Sequence, residues 1–103
     1  MIIQNNKDVL WLCILSKLIK DGLSYGYNII SSLEKELNVK KTELYSTLRD
    51  IEHNSLIEQI STLEHDERSL ICYGITDSGE AKYHELLMSW ITQQNRIDSF
   101  LFG

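Results

Sequence analysis

KKTELYSTLRDIEHNSL, residues 40–56, is the stretch whose reading decides the fold. Leu44, Leu48 and Ile51 fall four and three residues apart, which puts a single apolar stripe on a helix. On its other sides stand Lys40, Lys41, Ser46, Thr47, Arg49 and His53, short polar and basic groups of the kind that meet phosphates and base edges. Tyr45 borders the stripe and is a candidate for either the core or the contact surface. Such a helix is useful only if its neighbours bury one face and present the other.

Upstream, Ser24 reads as an N-cap for a helix over Tyr25 to Leu37, with Ile29, Ile30, Leu33 and Leu37 as its buried face. Gly26 in the first turn allows close backbone approach to a neighbour, which the order of elements predicts to be helix 1. Asn38 tolerates the left-handed conformation and ends the helix, and about three residues later the next one starts. Two short helices joined by so brief a turn make a helix-turn-helix. Before them, Asn6 to Asp8 lead into VLWLCILSKLIKDG, where Val9, Leu10, Leu12, Cys13, Ile14, Leu18 and Ile19 cover more than half of the circumference. Trp11 adds a ring on a further face, so this helix needs cover on several sides, and a partner subunit is the expected second cover. Gly22 stops it.

Downstream, Ile57, Ile60 and Leu63 alternate imperfectly with polar residues, His65 to Ser69 is turn-like, and Leu70 to Ile75 returns as an apolar run. Strand, polar loop and strand form a hairpin, and after a helix-turn-helix a hairpin is a wing. Thr76 caps the last helix, with Asp77 placed favourably against the helix dipole, and the chain is helical from Glu80 to Phe102. Tyr83, Leu87, Trp90, Gln94, Ile97 and Leu101 keep a 4-3-4-3-4 spacing, a coiled-coil seam with one polar interruption, widened by Leu86, Ile91 and Phe100. The fold class is therefore mainly α with a small β-hairpin. Residues 1–76 form a winged helix-turn-helix domain (wing at about 57–75), and residues 77–103 a C-terminal dimerisation helix within the same compact unit.

A chain of 103 residues is one domain's worth. Net charge is −5 and uneven: residues 1–51 carry seven Lys/Arg against six Asp/Glu, while residues 52–103 carry three against nine. That balance runs against the basic footprint usual for nucleic-acid binders, so local placement has to carry any such role. Cys13 and Cys72 sit inside apolar runs and read as buried free thiols. Val9 to Ile19 is too short to span a bilayer and lacks a cleavage site, so neither a membrane nor export is indicated, and the expected location is cytoplasmic. His53, His65 and His84 lie on three elements without ligand-like spacing, and neither a catalytic motif nor a phosphate loop is present. No enzyme, metal or cofactor is expected.

Tyr25-Gly26-Tyr27, Leu44-Tyr45 followed by Leu48, Ile51-Glu52, Leu56-Ile57, and Tyr73 with Ile75-Thr76-Asp77-Ser78-Gly79 together resemble the PadR-family winged-helix repressors, over roughly residues 8 to 102. The resemblance implies a homodimer in which the C-terminal helix packs against the partner's first helix. It implies a double-stranded DNA operator, with Lys40, Lys41, Tyr45, Ser46 and Arg49 in the major groove and Arg68 on the wing. Trp90 is similar in place to a tryptophan that drug-sensing members stack on planar aromatic ligands, and Trp11 is the candidate second wall. Four positions depart from the family's pattern: Lys40 and Glu43 precede Leu44-Tyr45, and Leu70-Ile71 replace a basic pair in the wing. The expected function is a sequence-specific, dimeric, ligand-responsive transcriptional repressor. The alternative is a winged helix that binds protein, an antagonist of another regulator, which the acidic second half and Glu43 favour.

Overall fold

The first helix, α1 (Asn6–Asp21), lies at the centre of the chain's own core in the computed structural model, which describes residues 6–65 and 68–103. Leu10, Trp11, Leu12, Ile14, Leu15 and Leu18 are all buried. Contact with α2 (Gly26–Leu37), α3 (Lys41–His53), β3 (Arg68–Ile75) and α4 (Asp77–Phe102) covers α1 on several sides. The cover that its all-round apolarity demanded is thus largely supplied within one chain rather than by a second subunit. Trp11 is part of this core, with the Lys7 ammonium 5.0 Å from its ring centroid, and its indole Nε1 has no partner among the described residues.

Between α1 and α2 the structure corrects the expected cap. Ser24 and Tyr25 are extended and form β1, a two-residue strand paired antiparallel with β3 (Ser24↔Tyr73, Tyr25↔Cys72). Helix α2 therefore starts at Gly26 behind Tyr25, with no side-chain cap, because the residues that would cap it are held in a sheet. Asn38 ends α2 as expected, at φ 54 with its N–H donated to the Glu34 carbonyl. Helix α3 runs from Lys41 behind Lys40 and stops at His53, short of Leu56, because Ser55 turns the chain at φ 61.

The hairpin is formed by β2 (Ile57–His65) and β3, and with β1 it makes a three-stranded sheet in the order β1-β3-β2. Both strands run further than the sequence pattern indicated: His65 pairs with Arg68, and Asp66 and Glu67, in the expected turn, lie outside the described residues. The imperfect alternation in β2 has a cause. Gln59 faces Tyr73 and Ser61 faces Cys72, so Ile60 is an extra residue, a bulge that leaves its side chain half exposed.

Four segments meet where the wing joins α4. Thr76 donates its N–H to the Leu56 carbonyl (3.0 Å) and its hydroxyl to the Ser55 carbonyl (2.7 Å). The same hydroxyl accepts the Gly79 N–H at 3.0 Å, capping α4 as the sequence predicted. Gly79 lies so close to the Leu56 carbonyl that any Cβ there would overlap backbone and meet Ile75. From this anchor α4 runs about 39 Å at 1.5 Å per residue. Its first half buries Leu86 and Ser89, while Ile97, Phe100, Leu101 and Phe102 beyond are exposed, Phe100 at 90%. Among the described residues no helix is long and apolar enough to cross a membrane.

Thr76→Ala is expected to lower stability by about 1–2 kcal/mol through loss of the cap and the Ser55 bond. Gly79→Ala, normally mildly stabilising in a helix, is expected instead to cost about 3 kcal/mol by overpacking against backbone. Chemical denaturation of both variants checks the order; a neutral Gly79→Ala would mean that α4 is not seated there.

Candidate nucleic-acid interface

Helix α3 is anchored by Leu44, Thr47, Leu48 and Ile51, all buried. Thr47 belongs with the core rather than with the polar side where the sequence put it: its hydroxyl donates to the Glu43 carbonyl at 2.8 Å, which removes the cost of burying it. With these four turned inward, Tyr45, Ser46 and Arg49 share the exposed face, one helical turn from the first to the last. Lys40 at the N-cap and Lys41 at the first helical position are exposed at the start of that face. Lys41 reaches Glu34 of α2 at 3.9 Å, a solvated pair that contributes little and keeps the ammonium near the helix start. Glu43 is exposed in the same first turn, favourable for the helix dipole and unfavourable for a phosphate.

A cleft of about 360 Å³ opens between the start of α2, the middle of α3 and the wing. Tyr25, Tyr27, Tyr45 and Tyr73 line it, together with Arg49 and Glu52. Its floor depends on Gly26. A Cβ there would stand 3.0 Å from the Tyr73 ring and 3.5 Å from Leu48, so the missing side chain lets β3 lie against α2. The neighbour that comes close to Gly26 is thus Tyr73, not helix 1. Glu52 accepts a 2.8 Å hydrogen bond from the Gln59 amide, tying α3 to β2. Burial first and Glu52 second push the Tyr73 phenol above its ordinary value, with Arg49 pulling the other way. Tyr25 and Tyr27 had no place in the sequence-level site; the Tyr-Gly-Tyr triplet was their only signal, and it marked family likeness rather than a surface.

The remaining candidate residues are dispersed. Arg68 lies on β3 with its side chain outside the described part. Trp90 lines a second cleft, about 400 Å³, between α1, α2 and α4, with Cys13, Tyr83 and Leu87. Trp11 is not part of that lining, so the two tryptophans do not form facing walls there; core packing takes Trp11 elsewhere. Burial raises the Cys13 thiol above its ordinary value against a smaller opposite pull from Lys20. Of the expected seam, Tyr83 and Leu87 pack on the chain's own core, and Trp90, Gln94, Ile97 and Leu101 are exposed. Among the described residues no three His, Cys, Asp or Glu side chains gather as a metal site.

A helix-turn-helix with an exposed second helix, followed by a β-hairpin and a long terminal helix, defines a winged helix-turn-helix protein. Residues 14–85 match the transcriptional regulator PadR-like family, and the chain belongs to it. Members of that family are transcriptional regulators, not enzymes. The fold superposes on smu.1704 of Streptococcus mutans with a TM-score of 0.84 at 28% identity, over 100% of this chain and 95% of that one. A PadR-like transcriptional regulator from Bacillus cereus gives 0.75 at 28% identity, covering 92% and 93%. PadR of Bacillus subtilis, solved in complex with operator DNA, gives 0.65 at 29% identity, covering 77% of this chain and 46% of that one.

Gly26→Ala tests the cleft floor by sign. Helix propensity alone would favour alanine by about 0.8–1 kcal/mol. Contact with a tyrosine ring pinned in a sheet is expected to reverse this to a loss of about 1 kcal/mol, read as a lower unfolding midpoint.

Proposed function

We propose that the protein is a cytoplasmic, homodimeric operator-binding repressor whose α3 enters the major groove. The observation that carries the proposal is the division of α3: one face is locked by Leu44, Thr47, Leu48 and Ile51, and the other offers Tyr45, Ser46 and Arg49 behind Lys40 and Lys41. A rigid helix with short polar and forked donors on one exposed face is what base-edge and phosphate contacts require. The likeness to a PadR crystallised with operator DNA supports the same reading. Two such helices in a symmetric dimer would meet half-sites about 34 Å apart.

Dimerisation is supported by the second half of α4. Phe100 and Phe102 are almost fully exposed and Ile97 and Leu101 about half exposed, and fully burying a side chain of this size is worth roughly 1.5–3 kcal/mol. A small planar aromatic ligand is proposed as effector, stacked on Trp90 beside Tyr83 and Leu87 in the cleft between α1, α2 and α4. Repression would then be relieved by ligand at the dimer-forming helix.

Gel-shift titration of the DNA upstream of the protein's own gene, at several salt concentrations, tests the proposal. About four to six cation–phosphate contacts per dimer predict that log K falls with log salt at a slope of about −4 to −5. No shift of any duplex at low salt would remove the DNA-binding reading. Ile97→Lys, exposed in the single subunit, is expected to give a folded monomer in sedimentation. Leu87→Lys would confuse the result, because Leu87 also packs on the core. A folded Ile97→Lys dimer would move the interface away from α4.

A further inference from the structure

We infer that the tyrosine-lined cleft between α2, α3 and the wing is a seat for the sugar–phosphate backbone of the bound DNA, held by neutral phenolic donors where the wing's sequence supplies a single Lys or Arg, Arg68. The inference rests on the DNA-binding reading and adds Tyr25 and Tyr27 to the contact surface. Tyr45 and Arg49 belong both to the exposed face of α3 and to this cleft, so a strand that meets α3 there passes directly across the cleft mouth. Tyr27 is 53% exposed and Tyr45 40% exposed. Neither phenol has a hydrogen-bond partner among the described residues, so both hydroxyls are available to phosphate oxygens.

The charge distribution gives the cleft this role. In residues 52–103 the basic side chains are Arg68, Lys82 and Arg96, against nine carboxylates. Lys82 is paired with Glu85 at 3.6 Å, and Arg96 lies far along α4. The strand side of the interface therefore has few positive charges to offer a phosphate. A phenol donates a hydrogen bond without a charge of its own, and it tolerates Glu52 nearby, which is occupied by Gln59. Arg49 is then the one cation among the described residues that line the cleft, and the tyrosines fix the strand's position around it.

Fluorescence anisotropy with a labelled duplex from upstream of the gene, on the full-length protein across a salt series, separates the two kinds of contact. Tyr27→Phe and Tyr45→Phe are each expected to weaken binding about threefold to tenfold at fixed salt while leaving the salt slope unchanged. Arg49→Gln is expected to weaken binding and to reduce the slope by about one unit per subunit. Unfolding midpoints equal to wild type confirm that the variants fold. If both Phe variants bind like wild type while Lys41→Ala weakens binding, the cleft does not hold the backbone and the DNA-binding reading stands without it. If the wild-type protein binds no duplex at low salt, that reading falls and this inference with it.

Discussion

Thr76 holds the carbonyl groups of Ser55 and Leu56 and caps α4 with the same hydroxyl, and the rest of the molecule is oriented from that point. The end of α3, the first residue before β2, the last after β3 and the first turn of α4 converge within a few hydrogen bonds. Gly79 allows the approach, because no other side chain fits beside the Leu56 carbonyl. A junction made of backbone groups transmits position better than one made of long side chains. It sets how the wing stands beside α3 and in which direction α4 leaves the domain.

Between the wing and α2 a second constraint acts. Pairing of β1 with β3 pins Tyr25 and Tyr73, and Gly26 lets the Tyr73 ring close onto the start of α2. The surface that results is aromatic and hydroxyl-rich instead of basic. An acidic chain can present a nucleic-acid interface if its few cations stand at the start and middle of one helix and neutral donors surround them. Net charge governs long-range attraction, whereas register on a duplex depends on local donors.

α4 has two different halves. Its N-terminal half is an ordinary core helix, closing over α1 with Leu86, Tyr83 and Leu87. Its C-terminal half projects, in keeping with the chain's elongated extents of 55 × 29 × 21 Å. A single 4-3 repeat in the sequence spans both halves, because the same spacing puts one apolar stripe on a helix seated on its own chain and on a helix that projects from it.

Periodicity determined the order of the four helices and the hairpin and the buried stripe of α3, and residue type determined the Asn38 turn and the Thr76 cap. Each depends on residues within a turn or two of one another, so local physics was sufficient. The two-residue strand β1 was invisible for the same reason: its partner is nearly fifty residues away, and two residues leave no pattern. Thr47 looked like a surface residue because its hydroxyl is polar, and only folding showed that it bonds its own helix and turns inward. Trp11 and Trp90 looked like a pair because both are large and aromatic, yet core packing sent one inside and left the other on a cleft. Helix α3 was legible from its own residues. The cleft beside it was not, since Tyr25, Tyr27, Tyr45 and Tyr73 meet only when sheet pairing and close approach at Gly26 bring three distant segments onto one face.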